Sequence, residues 1–223
     1  MMLSSFQTVL RKRENNARKW ILILVAVFCV NASVTAGARI CAFMFLRLQY
    51  NVTTVDYGNL ASVYFVSSSI FQLTVIPLLI NKFKIRDTTI LIMAFLTSVP
   101  SWMVEAFADD IWILYFTRLF CYPLWANLYT TMRSAISKLM DPNEVAKAFS
   151  LLGVIESGLS LVFRPLYGLF YRETVNIFPG LWILVSGGIF IIACSLTIFV
   201  HFGMKNGQES GEERKRSEDK DRF

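Results

Sequence analysis

A chain of 223 residues that is 55% hydrophobic, with mean hydropathy +0.50, is too apolar for a disordered or ordinary soluble protein and has the composition of a polytopic membrane protein. Its net charge of +6 lies mostly outside the apolar runs, so it reports topology and points to no nucleic-acid partner. The lipid bilayer is the first partner implied.

Residues 1–19 form a basic cytoplasmic linker holding Arg11, Lys12, Arg13, Arg18 and Lys19. The apolar run that begins at Trp20 is too long for a signal-peptide core, so no cleavable leader is expected. Apolar segments follow at about 20–46, 57–80, 87–108, 111–132, 148–170 and 178–202. Each is close to the length of about 20 residues that a bilayer requires. Residues 20–202 are therefore expected to form a six-helix transmembrane bundle, all-α, with 203–223 as a disordered cytoplasmic tail rich in Gly, Glu, Lys, Arg and Ser.

Basic residues set the orientation. Lys82, Lys84 and Arg86 follow span two, Arg133, Lys138 and Lys147 follow span four, and the tail adds Lys205, Arg214, Lys215, Arg216, Lys220 and Arg222. The opposite side holds only Arg47 and Arg172. This asymmetry places both termini in the cytoplasm. Asn51-Val52-Thr53 then falls in the first external loop as a glycosylation sequon, whereas Asn31-Ala32-Ser33 sits mid-span, out of a transferase's reach.

Spans one and two carry polar stripes: Asn31, Thr35 and Arg39 at i, i+4 and i+8, then Tyr64, Ser68 and Gln72. Such residues serve either as interhelical hydrogen-bond glue or as the wall of a polar cavity. Span three holds Glu105 one turn from Asp109-Asp110, and span five has Glu156 near its middle, followed by Arg164-Pro165. Span six is small-residue-rich around Gly187-Gly188 and reads as a packing helix.

The most informative segment is span four, IWILYFTRLFCYPLWANLYTTMRSAISK. At about 100° per residue, Arg118, Tyr122, Trp125, Tyr129 and Arg133 fall within roughly 80° of one another. A charge at bilayer depth is costly unless it faces a bundle interior or water, so this wall should line something wet. Two alternatives stand beside that reading. Arg133 also suits a cytoplasmic end, where it can snorkel, and Arg118 is within reach of a structural pair with Glu105. Glu156 is either a proton carrier or part of a fixed ion pair with Arg39, Arg118 or a residue outside this chain. His201, the sole histidine, reads as interfacial.

Enzyme signatures do not occur: there is no His/Glu metal spacing, nucleophile elbow or glycine-rich phosphate loop. Cys29, Cys41, Cys121 and Cys194 lack CxxC spacing and read as packed thiols. Neither cofactor nor metal is expected.

The run Arg133-Ser134-Ala135-Ile136-Ser137-Lys138-Leu139 at the inner end of a span resembles solute carrier family 46, the proton-coupled folate transporter family of the major facilitator superfamily. Supporting pieces lie along the chain: Arg11-Lys12-Arg13 with Arg18, Tyr57-Gly58, Glu144 to Ser150, and Tyr171-Arg172-Glu173-Thr174 with Pro179-Gly180. The resemblance covers residues 11–202 and matches helices seven to twelve, the second half of such a carrier. It implies two three-helix inverted repeats, spans one to three and four to six, and it makes span four helix ten. Arg133 then matches that family's functional helix-ten arginine. Span one has no histidine where the folate transporter couples protons, which leaves Glu156 as the candidate for that role.

The resulting expectation is a secondary transporter of a small organic, anionic, folate-like solute, with H+ as a candidate second substrate. Its substrate-binding residues would be Arg133, Arg118, Tyr122, Trp125, Tyr129, Asn31, Arg39, Tyr64 and Gln72. Glu156 would couple protons and Asn51 would carry glycan, in a plasma or endolysosomal membrane. The alternative is a non-transporting half-module that binds other membrane proteins. Its partner would be the missing N-terminal half, a full-length relative or a second copy.

Overall fold

In the computed structural model, residues 17–220 are described, with side chains for 18–204. Arg11-Lys12-Arg13 of the basic linker lies outside the described residues. Among the described residues every regular element is helical, as a bilayer demands of a chain that must satisfy its own backbone groups.

The first helix, α1, spans Ala17–Tyr50. After a short connection, α2 spans Thr54–Pro77 and ends in one π-helical turn, Leu78–Lys82. Pro77 lacks the N–H that would continue the regular ladder, consistent with the widened turn that follows. α3 spans Asp87–Ala106, α7 Pro142–Thr174 and α8 Leu181–Lys220. These five are long and apolar enough to cross a bilayer.

The fourth expected span is interrupted. It divides into α4 (Ile111–Phe120), α5 (Tyr122–Ala126) and α6 (Leu128–Ser137), with breaks at Cys121 and Asn127. Pro123 opens α5, and its missing N–H and ring bulk disfavour uninterrupted helix through Cys121 and Tyr122. At the second break the Asn127 side chain donates its Nδ2–H to the Pro123 carbonyl at 2.7 Å, satisfying an acceptor that the interruption would otherwise orphan.

A second difference lies at the C-terminus. Helix α8 continues to Lys220, where the composition had suggested disorder from 203. The tail's Lys, Arg, Glu and Gln residues are good helix formers, and an existing helix extends without a new nucleation cost.

Helix α1 is the central element, lying along both α7 and α8, and α3 lies along α8. The α1–α7 approach is close: a Cβ at Gly37 would stand 2.2 Å from the Tyr167 ring. Beside it, Cys41 Sγ donates to the Tyr167 carbonyl at 3.4 Å and the Tyr167 hydroxyl meets Ser186 Oγ at 3.1 Å. Phe95, Trp102 and Phe190 join α3 to α8, with Trp102 and Phe190 centroids 5.1 Å apart. At the other extreme, α2 and α7 leave most of their apolar length uncovered, exposing Phe65, Ile70 and Leu73 on α2 and Leu161, Val162 and Leu166 on α7.

Candidate functional site

A cavity of about 610 Å³ opens between α1, α2, the α4–α5 break and the start of α8. Its polar lining comes from Thr35, Arg39, Tyr57, Ser62, Tyr64, Arg118 and Tyr122, and its apolar lining includes Phe65, Trp125 and Trp182. Arg39 lies 11 residues before the end of α1, about 16 Å along the axis. Arg118 lies seven residues into α4, about 10 Å along. Both cations therefore sit within the apolar segments, Arg39 inside α1 and Arg118 in the last turn of α4, beside the break at Cys121.

The two arginines differ electrostatically. Arg118 is held by Glu105 of α3, with Nε to Oε1 at 3.4 Å and Nη2 to Oε2 at 3.3 Å. Its guanidinium also lies 5.4 Å from the Tyr122 ring centroid. The carboxylate is almost fully enclosed, with 6% of the Glu105 side chain exposed. The structural pair weighed for Arg118 is thus formed, while the same residue still lines the cavity. Arg39 is exposed, and no carboxylate lies within ion-pair distance of it among the described residues.

The break after α4 shapes the aromatic wall. Tyr122 meets Tyr64 at 5.0 Å and Trp125 at 4.7 Å, both edge-on, an arrangement that rings favour. Trp125 also contacts Trp102 at 6.0 Å, which in turn contacts Trp182 at 6.2 Å. Of these rings, Tyr64, Tyr122, Trp125 and Trp182 line the cavity, and Trp102 backs them from the core.

Of the nine residues expected from the sequence to bind substrate, Arg39, Tyr64, Arg118, Tyr122 and Trp125 come together in this cavity, together with Thr35 of the same α1 stripe. The other four, Arg133, Tyr129, Asn31 and Gln72, do not line it. Arg133 on α6 pairs with Glu156 on α7, Nη2 to Oε2 at 3.0 Å, with its guanidinium 5.8 Å from the Phe28 ring centroid. Tyr129 packs edge-on against Phe28 at 5.4 Å. Gln72 of α2 donates to Thr130 Oγ1 at 3.2 Å, which is the interhelical glue weighed for that stripe. Asn31 is fully buried, and its Oδ1 accepts no hydrogen bond. The helical-wheel wall therefore divides at the second break: the part before Asn127 faces the cavity and the part after it joins α6 to α1 and α7. Asn51 is exposed between α1 and α2 with φ of 53°, and Thr53 caps α2.

Glu156 is consequently engaged, and its partner is Arg133, neither of the arginines first considered. The same motif explains its neighbours. Ser134 Oγ donates to Asp87 Oδ2 at 2.8 Å, and Lys138 Nζ donates to Asp87 Oδ1 at 2.8 Å. Asp87 is buried at the start of α3, so these two residues pin that helix to α6. On its other side Thr88 meets His201 Nδ1 of α8 at 2.8 Å, which puts the histidine in a helix-to-helix contact.

Sequence reasoning missed Trp182, Ser62 and Phe65 in the lining. Trp182 stands at the start of the segment taken for packing, and its only signal was a tryptophan at the end of an otherwise aliphatic run. The four cysteines are free. Among the described residues no group of three or more His, Cys, Asp or Glu side chains is placed to hold a metal ion.

An apolar helical bundle of this kind is an integral membrane protein, and a cavity with two arginines at span depth suits one that handles small solutes. Comparison with known proteins agrees. The chain is 24% identical over 200 residues to the probable peptidoglycan muropeptide transporter SLC46 of Drosophila melanogaster, covering 88% of this chain and 38% of that protein. It is 25% identical over 175 residues to solute carrier family 46 member 2 of Mus musculus, covering 77% and 35%. The chain thus resembles solute carrier family 46 and spans little more than a third of the length of these relatives. No family model matches it, and no solved structure does.

Proposed function

We propose that this chain forms the helix-seven-to-twelve half of a secondary transporter for a small organic anion, built as two three-helix inverted repeats with both termini in the cytoplasm. The observation that carries this reading is Arg39, an exposed guanidinium at bilayer depth beside an aromatic wall, with no carboxylate in reach among the described residues. A charge in such a place is expensive unless water or an anionic solute reaches it, and guanidinium binds carboxylate or phosphate strongly there.

In this reading α2 and α7 present their uncovered apolar faces to a second helical bundle, and the solute binds between the two halves near the midplane. That bundle corresponds to the part of the relatives' length that this chain does not span. Muropeptides, named for the Drosophila relative, carry carboxylates and fall within the proposed class, as do folate-like solutes. Proton coupling would act through Glu156, because protonating its carboxylate removes the charge that holds Arg133.

Uptake of a labelled muropeptide, and separately of a labelled folate, into cells expressing the chain within its full-length context tests the reading. Arg39→Gln at matched surface expression is expected to abolish uptake of whichever solute is carried. Unchanged uptake in the variant overturns the assignment of the cavity.

The open faces of α2 and α7 equally favour a second reading, a non-transporting module that binds another membrane protein through them. Cross-linking from cysteines placed at Leu73 and Leu166 distinguishes a bundle of the same polypeptide from a separate partner. A second copy is the least favoured occupant, because a two-fold assembly would set two arginine-bearing cavities against each other.

A further inference from the structure

Resting on the reading that the open face of α7 meets a second helical bundle, we propose that Arg164 is the docking charge of that face and that the second bundle presents a carboxylate to it within the membrane.

Arg164 lies in the apolar run of α7, eight residues before Arg172 and about 12 Å inward from it along the axis. It is exposed, and no carboxylate lies within ion-pair distance of it among the described residues. Nor does it line the cavity, so a solute bound at Arg39 leaves its charge uncompensated. An unpaired guanidinium at that depth is costly against lipid. Its Cα–Cβ bond tilts toward the helix N-terminus, away from the nearer interface at Arg172, which works against snorkelling to a headgroup phosphate.

The surface around Arg164 also differs from a lipid-facing one. Ser150, Ser157, Leu161 and Arg164 fall within roughly 60° of one another on the helix, and all four are exposed. A Cβ at the adjoining Gly158 would meet nothing within 4 Å, so no contact among the described residues calls for its small size. Small residues let a neighbouring helix come close inside a membrane. Leu161, 79% exposed, lacks the regular helical donor to its carbonyl, because Pro165 has no N–H. That carbonyl is a second polar group on the strip that hydrocarbon does not satisfy.

A second copy of this chain has no carboxylate to offer at this depth from either open helix. On α2 the one acid is Asp56, in the first turn. On α7 Glu156 is held by Arg133, and Glu144 and Glu173 lie in the end turns. The occupant that fits is therefore the bundle that fills the rest of the relatives' length, of which this chain spans little more than a third.

The test uses the full-length carrier in detergent, with the thermal midpoint as the readout. Each Asp or Glu inside an apolar span of the added bundle is replaced by Asn or Gln, alone and together with Arg164→Gln. Arg164→Gln alone should lower the midpoint by at least about 5 °C, because it strands the opposing charge. With one of the acids, the double variant should recover at least about half of that loss, since neither charge is then left unpaired. If Arg164→Gln does not fold, the return of folded protein in that double variant carries the same result.

An Arg164→Gln protein as stable as the wild type, no recovery with any acid, or added spans without an acid overturns the proposal. A photoreactive benzoylphenylalanine in place of Ser157 separates it from the reading on which it rests. Cross-links to the added bundle with no coupled acid overturn the docking charge and keep the bundle. Cross-links only to lipid or to a second copy overturn both.

Discussion

Arg133 and Glu156 face each other across α6 and α7 at 3.0 Å, and this pair, not the cavity, is where the helix-ten arginine of the family resemblance resides. Both side chains keep more than a third of their surface open. The pair therefore combines a real inter-helix link with access for a proton or a partner charge. Neutralising either residue should lower thermal stability by about 1 kcal/mol, at the scale of exposed pairs. Exchanging the two, Arg133→Glu with Glu156→Arg, should recover most of that loss. Melting of the detergent-solubilised protein followed by size-exclusion chromatography reads the cycle. Additive losses in the double variant would show that the two residues act independently.

Water reaches the cavity in the proposed arrangement, and cysteine accessibility measures this directly. In a background with Cys29, Cys41, Cys121 and Cys194 replaced by serine or alanine, Ser62→Cys and Arg39→Cys are expected to react readily with a membrane-impermeant methanethiosulfonate. Both positions line the cavity and are exposed. Asn31→Cys, on the same helix as Arg39 but 1% exposed, should stay unlabelled in the folded protein. Labelling at Asn31 equal to that at Arg39 would contradict the described packing of α1.

Gly37 lets α1 and α7 approach each other. A Cβ there would stand 2.2 Å from the Tyr167 ring, far inside van der Waals contact, so Gly37→Ala must displace the ring or part the helices. Overpacking of this kind costs about 1–3 kcal/mol, and Gly37→Val should cost more. Tyr167→Leu in the Gly37→Ala background should recover part of the loss, less the hydroxyl's contact with Ser186. The midpoint of thermal unfolding in detergent is the readout.

Thr53 has two roles that can be separated. Its hydroxyl accepts from the Asp56 backbone N–H at 3.2 Å in a reciprocal cap at the start of α2, and it also completes the Asn51 sequon. Thr53→Ala should lower stability by about 1 kcal/mol and abolish any glycan. Asn51→Gln should remove the glycan alone. A glycosidase-dependent mass shift in the wild type, absent in both variants, checks the sequon, and melting of the enzyme-treated proteins checks the cap.

Much of this architecture was legible from one-dimensional patterns, because a bilayer imposes length and hydropathy on each crossing independently of its neighbours. Five of the six expected segments are long apolar helices, with ends that differ from the apolar runs by a few residues except where α8 runs on. The polar stripe of span one contains Thr35 and Arg39, both of which line the cavity, and the spacing of Glu105 from Arg118 left their pair open as one alternative, which is the one formed. The helical wheel failed from Tyr129 onward, since it assumed a constant 100° per residue through Pro123 and Asn127. Once the helix was interrupted at Cys121 and Asn127, Arg118 and Arg133 no longer shared a face. Trp182 was missed for a related reason: a helix's hydropathy does not reveal which neighbour its first turn touches.

By itself, the sequence determined that this is a helical membrane protein, roughly where its chain crosses, and which side chains are too polar to face lipid. Those properties follow from local composition and from the short-range geometry of a helix. Only the tertiary structure decided which polar residues meet. It set Glu105 against Arg118, Glu156 against Arg133 and Asp87 against Ser134 and Lys138, and it left Arg39 facing an aromatic wall without a carboxylate. Pairing across helices depends on how α1, α3, α6 and α7 pack and where the fourth segment breaks. Spacing offered the Glu105–Arg118 pair only as one alternative, and the longer-range pairs, such as Asp87 with Ser134 and Lys138, lie outside any local window of sequence.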